Sequence, residues 1–85
     1  MELSVALAAI QSVATKINLY GIENDVYDLD ISRGSIRFQG HYSPEFMKNI
    51  ILAKLENFKQ LPIQDNGFLS MSFTCEGIDF NIILT

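Results

Sequence analysis

Ile31-Ser32-Arg33-Gly34-Ser35-Ile36-Arg37-Phe38 and Phe73-Thr74-Cys75-Glu76-Gly77-Ile78-Asp79-Phe80 decide the fold of this chain. Each reads apolar, turn, apolar, polar, apolar, and the second lies 42 positions after the first. The same offset sets Leu29 on Met71, Ile10 on Leu52 and Val13 on Leu55. Each half therefore reads as helix, strand, turn, strand. A helix on a hairpin cannot bury its apolar face alone, whereas two such units can share one sheet and one core. The expected architecture is α+β: two helices on one face of an antiparallel sheet of four long strands, in an αββ-αββ pseudo-repeat. Residues 1–42 form the first unit and residues 43–85 the second, within one domain spanning 1–85.

Within the first hairpin, a two-residue turn at Arg33-Gly34 sets Ser32 opposite Ser35. That register pairs Ile31 with Ile36 and Leu29 with Phe38 on the buried face, and Asp30 with Arg37 on the other. Tyr27, Leu29 and Ile31 alternate with Asp28 and Asp30, as a half-buried strand requires. In the second hairpin, residues 68–75 and 78–84 flank Glu76-Gly77. The run Ile82-Ile83-Leu84 is continuously apolar, which suits a strand covered on both faces or by another subunit. Asp65-Asn66-Gly67 reads as a turn. Leu61-Pro62-Ile63 is the candidate for a short fifth strand, at an edge because Pro62 has no N–H to donate to a central ladder.

Leu3, Ala6, Leu7, Ile10, Val13, Ala14 and Ile17 recur at helical spacing, predicting a helix over residues 3–20 with Gly21 as its stop. Ser43 begins the second helix as N-cap, with Pro44 at the first helical position and Glu45 in the first turn. Tyr42 and Met47 occupy staple positions around that cap. The helix is expected to run to Phe58. Its main apolar stripe is Met47, Ile51, Leu55 and Phe58, and Phe46, Ile50 and Ala53 make a second stripe beside it.

Composition narrows the function classes. Six basic and ten acidic side chains leave a net charge of −4, split evenly between the halves. Without a basic run or patch the chain has little with which to neutralise phosphate, so no nucleic-acid partner is expected. The same shortage argues against an anionic membrane surface, and no apolar run reaches the length of a membrane span. Cys75 is the only cysteine. It permits neither an intrachain disulfide nor a thiolate metal cluster and suits a reducing compartment. Met1-Glu2-Leu3-Ser4 lacks a positively charged leader and reads as helix rather than signal peptide. The expected setting is cytoplasmic.

Candidate chemistry is sparse. Cys75 and His41 are the only obvious nucleophile and base, and catalysis would need them in hydrogen-bond reach with a third group orienting the ring. The pattern places them at opposite ends of the sheet, so packing is the commoner role for the thiol. Glu23, Asp25, Asp28 and Asp30 form an acidic group, but their spacing matches no calcium loop and Asp30 already has Arg37. The glycines fall at turns, apart from Gly40, which marks a bulge or a close approach in a strand. None belongs to a phosphate-cradling motif. No catalytic residue, metal site or cofactor is assigned, and the chain is read as a non-enzyme.

What remains is surface. The uncovered sheet face is expected to show Asp28, Asp30, Arg37, Gln39, Ser70, Ser72, Thr74, Asp79 and Asn81. The second helix carries more apolar area than one sheet face covers, leaving a patch of the kind that marks an interface. The candidate contact residues are Phe46, Ile50, Ala53 and Asn57, with Val26 and Ile83 at the sheet margin. The functional expectation is a small acidic protein–protein interaction module that associates with itself or docks on a protein partner. A small-molecule-binding regulatory domain, with a cleft between the two helices, is the alternative.

Overall fold

The computed structural model of the chain describes residues 1–21, 25–63 and 67–85. The elements run α1 (Leu3–Lys16), a single 3-10 turn (Leu19–Gly21), β1 (Val26–Ile31), β2 (Ser35–Gly40), α2 (Pro44–Leu52), β3 (Glu56–Gln60), β4 (Leu69–Cys75) and β5 (Ile78–Leu84). The strands form one sheet in the order β1-β2-β5-β4-β3. The architecture is α+β with two helices, as expected. The sheet has five strands, the fifth a short edge strand, but it is mixed instead of antiparallel throughout, because β2 and β5 run parallel. The second half also has a strand that the first lacks, so the αββ-αββ repeat does not describe the chain.

Both hairpins form as their turns dictate. Ser32 N donates to Ser35 O at 2.9 Å. Beyond it Ile31 pairs with Ile36, Asp30 with Arg37 and Leu29 with Phe38. In the second hairpin Cys75 pairs with Ile78 across Glu76-Gly77. Both turn residues have positive φ, 55° and 73°, the geometry whose twist matches the flanking strands.

β5 lies at the centre of the sheet. Its inward side chains Ile78, Phe80, Ile82 and Leu84 are buried. Register places Phe80 between Ile36 and Phe73, and Ile82 between Phe38 and Met71. The Phe73 and Phe80 rings stack at 5.2 Å, and Phe38 tilts against Phe80 at 5.9 Å. Ala6, Ala9 and Val13 of α1 and Ile17 just after it close this face together with Phe46, Ile50 and Leu55. The alanines let α1 approach the sheet closely, since they project little beyond the backbone.

Three local features differ from expectation, each for a conformational reason. α1 ends at Lys16, because Asn18 takes the left-handed conformation (φ 52°) ahead of Gly21. α2 ends at Leu52 instead of Phe58, because Lys54 does the same (φ 49°). Glycine is the usual residue at such a helix end, so neither stop has its ordinary mark. The released segment forms β3 at Glu56–Gln60, upstream of the expected strand at Leu61–Ile63. The expected turn at Asp65-Asn66 lies outside the described residues.

Gly40 is a close-approach glycine. The β1–β2 register shifts between Val26 and Asp28, and this bulge brings the Asp25 carbonyl over Gly40, where it accepts from His41 N at 2.7 Å. A Cβ on Gly40 would lie 2.5 Å from Asp25 O and 3.3 Å from Val26 Cα. Backbone atoms cannot swing away from such a contact as a flexible side chain can.

Two stability measurements follow from these positions. Gly40→Ala is expected to cost about 1–3 kcal/mol in chemical denaturation, because the bulge must shift. Lys54→Gly is expected to raise stability by about 0.5–1 kcal/mol, removing left-handed strain at the end of α2 against a smaller unfolded-state entropy cost.

Candidate docking surfaces

The two groups that could have made a catalytic pair lie apart. Cys75 is buried beside the β4–β5 turn. Its thiol donates to Ser12 Oγ at 3.6 Å, and the Lys16 ammonium donates to Sγ at 3.7 Å. His41 follows β2 at the other end of the sheet, where Gly40 pairs with Leu84. The length of β5 separates the ends, about 20 Å at the ordinary rise of a strand. The His41 ring packs on Tyr27 with centroids 4.9 Å apart, and Nδ1 lies 3.4 Å from Thr85 Oγ1. Ser12 and Lys16 were not foreseen beside the thiol. Their spacing of four on α1 was the available signal, since it puts both on one helix face.

The acidic residues divide in the same way. Asp25 accepts from the Ser43 hydroxyl at 3.3 Å, and Ser43 Oγ caps α2 by accepting from Phe46 N at 3.0 Å. Asp30 meets Arg37 at 3.5 Å on the exposed sheet face. Glu23 lies outside the described residues. Among those described, no three His, Cys, Asp or Glu side chains converge as metal ligands would.

The sheet face away from the helices is polar. Register lines up Asp30, Arg37, Asn81, Ser72 and Lys59 as one rung across all five strands. Asn57, Lys59, Ser72, Thr74, Asp79 and Asn81 line a shallow concavity of about 610 Å³ on this face. It is open to solvent and lies on the opposite side of the sheet from the inter-helix cleft that a ligand-binding domain was expected to use.

The candidate contact residues are placed differently from expectation. Phe46 and Ile50 are core, at 0 and 1% exposure. Ala53 is half-buried against the same cluster. The inward stripe of α2 is therefore the one expected to be left over, and Ile51 of the other stripe stands 57% exposed. Asn57 is exposed on β3 instead of α2, and its Nδ2 donates to Thr74 Oγ1 at 3.3 Å. Val26 packs against the core, because the bulge after it shifts its phase relative to Asp28. Ile83 is half-buried on the polar face, between Gln39 and Ser70.

Apolar surface is exposed elsewhere. On α1, Leu3 and Leu7 are 64 and 52% exposed. On β1, Leu29 and Ile31 are 44 and 39% exposed, although register puts them on the core side of the sheet. β1 ends the sheet on that side, and among the described residues no strand neighbours its outer edge. No helix among the described residues is long and apolar enough to cross a membrane. The chain matches no family model, no curated protein and no solved structure in comparison.

The inverted faces of α2 can be checked directly. Ile50→Ala is expected to cost about 2–5 kcal/mol as a cavity in the core, whereas Ile51→Ala one position along should stay within about 0.5 kcal/mol. Equal losses would mean that both stripes are covered.

Proposed function

We propose that this chain is a small, non-enzymatic docking protein that associates with itself through α1. The observation that carries the reading is the exposure of Leu3 and Leu7 on a helix whose first eight residues include only one polar side chain, Ser4. A helix segment that is apolar nearly all round normally lies buried. Leu3 and Leu7 stand one helical turn apart with exposed Ala8 beside them, a short apolar seam against which a second helix can lie. Between Glu2 and Lys16 the helix has no charge, so nothing along the seam repels a second copy.

Such a contact is small. It falls well below the roughly 1,200–2,000 Å² of a stable complex, so the pair forms weakly, with a dissociation constant of about 10–100 µM. A net charge of −4 keeps the unpaired protein in solution, and the single buried thiol suits a reducing cytoplasm.

Sedimentation across a concentration series tests the reading. The wild type is expected to shift from monomer to dimer within the range up to about 1 mM, and Leu7→Glu should remain monomeric with an unchanged melting temperature. A wild type that stays monomeric throughout, or a Leu7→Glu variant that dimerises equally well, would remove α1 as the contact.

A further inference from the structure

We propose that β1 is a strand-addition site for an extended protein segment in which basic and aliphatic side chains alternate. The site lies apart from the α1 seam and does not depend on it.

The two edges of the sheet differ in ways that matter for pairing. Sheet edges offer unpaired N–H and C=O groups to any passing strand, and proteins block them with bulges, lysines and prolines. β3 has all three kinds of block: a register shift between Glu56 and Lys59, a left-handed Asn57, Lys59 itself and Pro62 just beyond. β1 has neither lysine nor proline. Its bulge is confined to the Val26 end, and Asp28 to Ile31 pair with β2 without interruption. A regular, accessible edge is the surface on which an incoming strand is accepted.

The side chains along that edge state what the incoming strand must carry. Leu29 and Ile31 present half-exposed apolar surface on the helix side of the sheet. A neighbouring strand would continue the core over them with aliphatic side chains. On the other face stand Asp28 and Asp30. Asp30 has Arg37 behind it at 3.5 Å in an exposed pair, while Asp28 has no ion-pair partner among the described residues. Side chains directly opposite on neighbouring strands interact, favourably for unlike charges and unfavourably for like charges. An alternating basic and aliphatic strand satisfies both faces at once.

The same aspartates reject a second copy of β1. Antiparallel self-pairing must keep Leu29 and Ile31 on the core side. The two registers that do so while matching most of Val26–Ile31 set Asp28 against Asp28 or against Asp30. β1 therefore stays available when two copies meet through α1. The occupant is a different chain, and its chemistry is the complement of this edge.

Capped six-residue peptides alternating lysine with valine, or glutamate with valine, test the site in titrations monitored by amide hydrogen exchange. The lysine peptide is expected to bind and to slow exchange in β1 while leaving β3 unchanged. The glutamate peptide should not bind. A lysine peptide N-methylated on alternate amides should also fail, since it cannot complete the ladder. Asp28→Lys should weaken the lysine peptide roughly tenfold and favour the glutamate peptide. Equal binding of both peptides, protection of β3 in place of β1, no binding at millimolar peptide, or slowed β1 exchange on self-association alone would each overturn the proposal. Sedimentation of Leu7→Glu reports separately on the α1 contact, so failure of one reading leaves the other standing.

Discussion

The parallel ladder between β2 and β5 is the constraint on which the rest of the molecule depends. Six residue pairs run from Ser35–Asp79 to Gly40–Leu84. The ladder is extended past its end, where Thr85 N donates to Gly40 O at 2.9 Å and Tyr42 N to Thr85 O at 3.0 Å. This pairing joins the two hairpins and makes β5 the central strand. It also brings Phe80 between Ile36 and Phe73, so Phe38 reaches the stacked Phe73–Phe80 pair of the second hairpin only when the hairpins are side by side. Gly40 sits where this ladder ends and where the Asp25 carbonyl crosses over β2, and its missing Cβ leaves room for that carbonyl. Neither hairpin could bury its apolar face alone. Parallel neighbours need a long crossover, and here α2, β3 and β4 supply it while adding Phe46, Ile50 and Leu55 to the core.

Local turn chemistry was legible in the sequence, and distant pairing was not. Arg33-Gly34 set the first hairpin's register to the residue, because a two-residue turn leaves no freedom in what faces what. Ser43 and Pro44 marked the start of α2 for the same reason: the cap is a short-range hydrogen bond between a side chain and a nearby N–H. The β2–β5 pairing leaves no such mark. Its partners lie 44 residues apart, and nothing in either strand states whether its neighbour runs parallel or antiparallel. Each half ends in a hairpin, but the second has an extra strand before it and the inner strands β2 and β5 run parallel, so the 42-residue offset does not describe the architecture.

The helix ends and the inward face of α2 failed for different physical reasons. Asn18 and Lys54 adopt a conformation that glycine usually fills, so a search for glycine passes over both. At α2, two stripes of similar apolarity lie one residue apart on a nine-residue helix. Periodicity gives the width of the apolar arc but not its centre. The direction is set by anchoring: Ser43 binds Asp25 and Phe46 N, and that attachment turns Phe46 and Ile50 onto the sheet. The uncovered side of α2 is therefore the one carrying Ile51, and Phe46 and Ile50 of the candidate contact set lie in the core. The polar sheet face, by contrast, was legible because strand alternation has only two phases. The exception was Val26, where the bulge changes phase.

A domain of this size must leave apolar surface in water whatever its function, because too little of its chain is interior. Exposure alone therefore distinguishes nothing, and position is what carries meaning. Ile51 and Leu52 lie next to each other at the end of α2, beside a left-handed turn, with no continuation into neighbouring apolar surface that the register defines. Leu29 and Ile31 are different. They stand on the core side of the sheet, one strand beyond Ile36 and Phe38, and they are exposed only because the sheet stops there. An added strand would extend an interior that already exists, using backbone groups already aligned by β2. That continuity, combined with two acidic side chains on the reverse face, makes the β1 edge a surface with a defined complement and separates it from apolar residues that are merely uncovered.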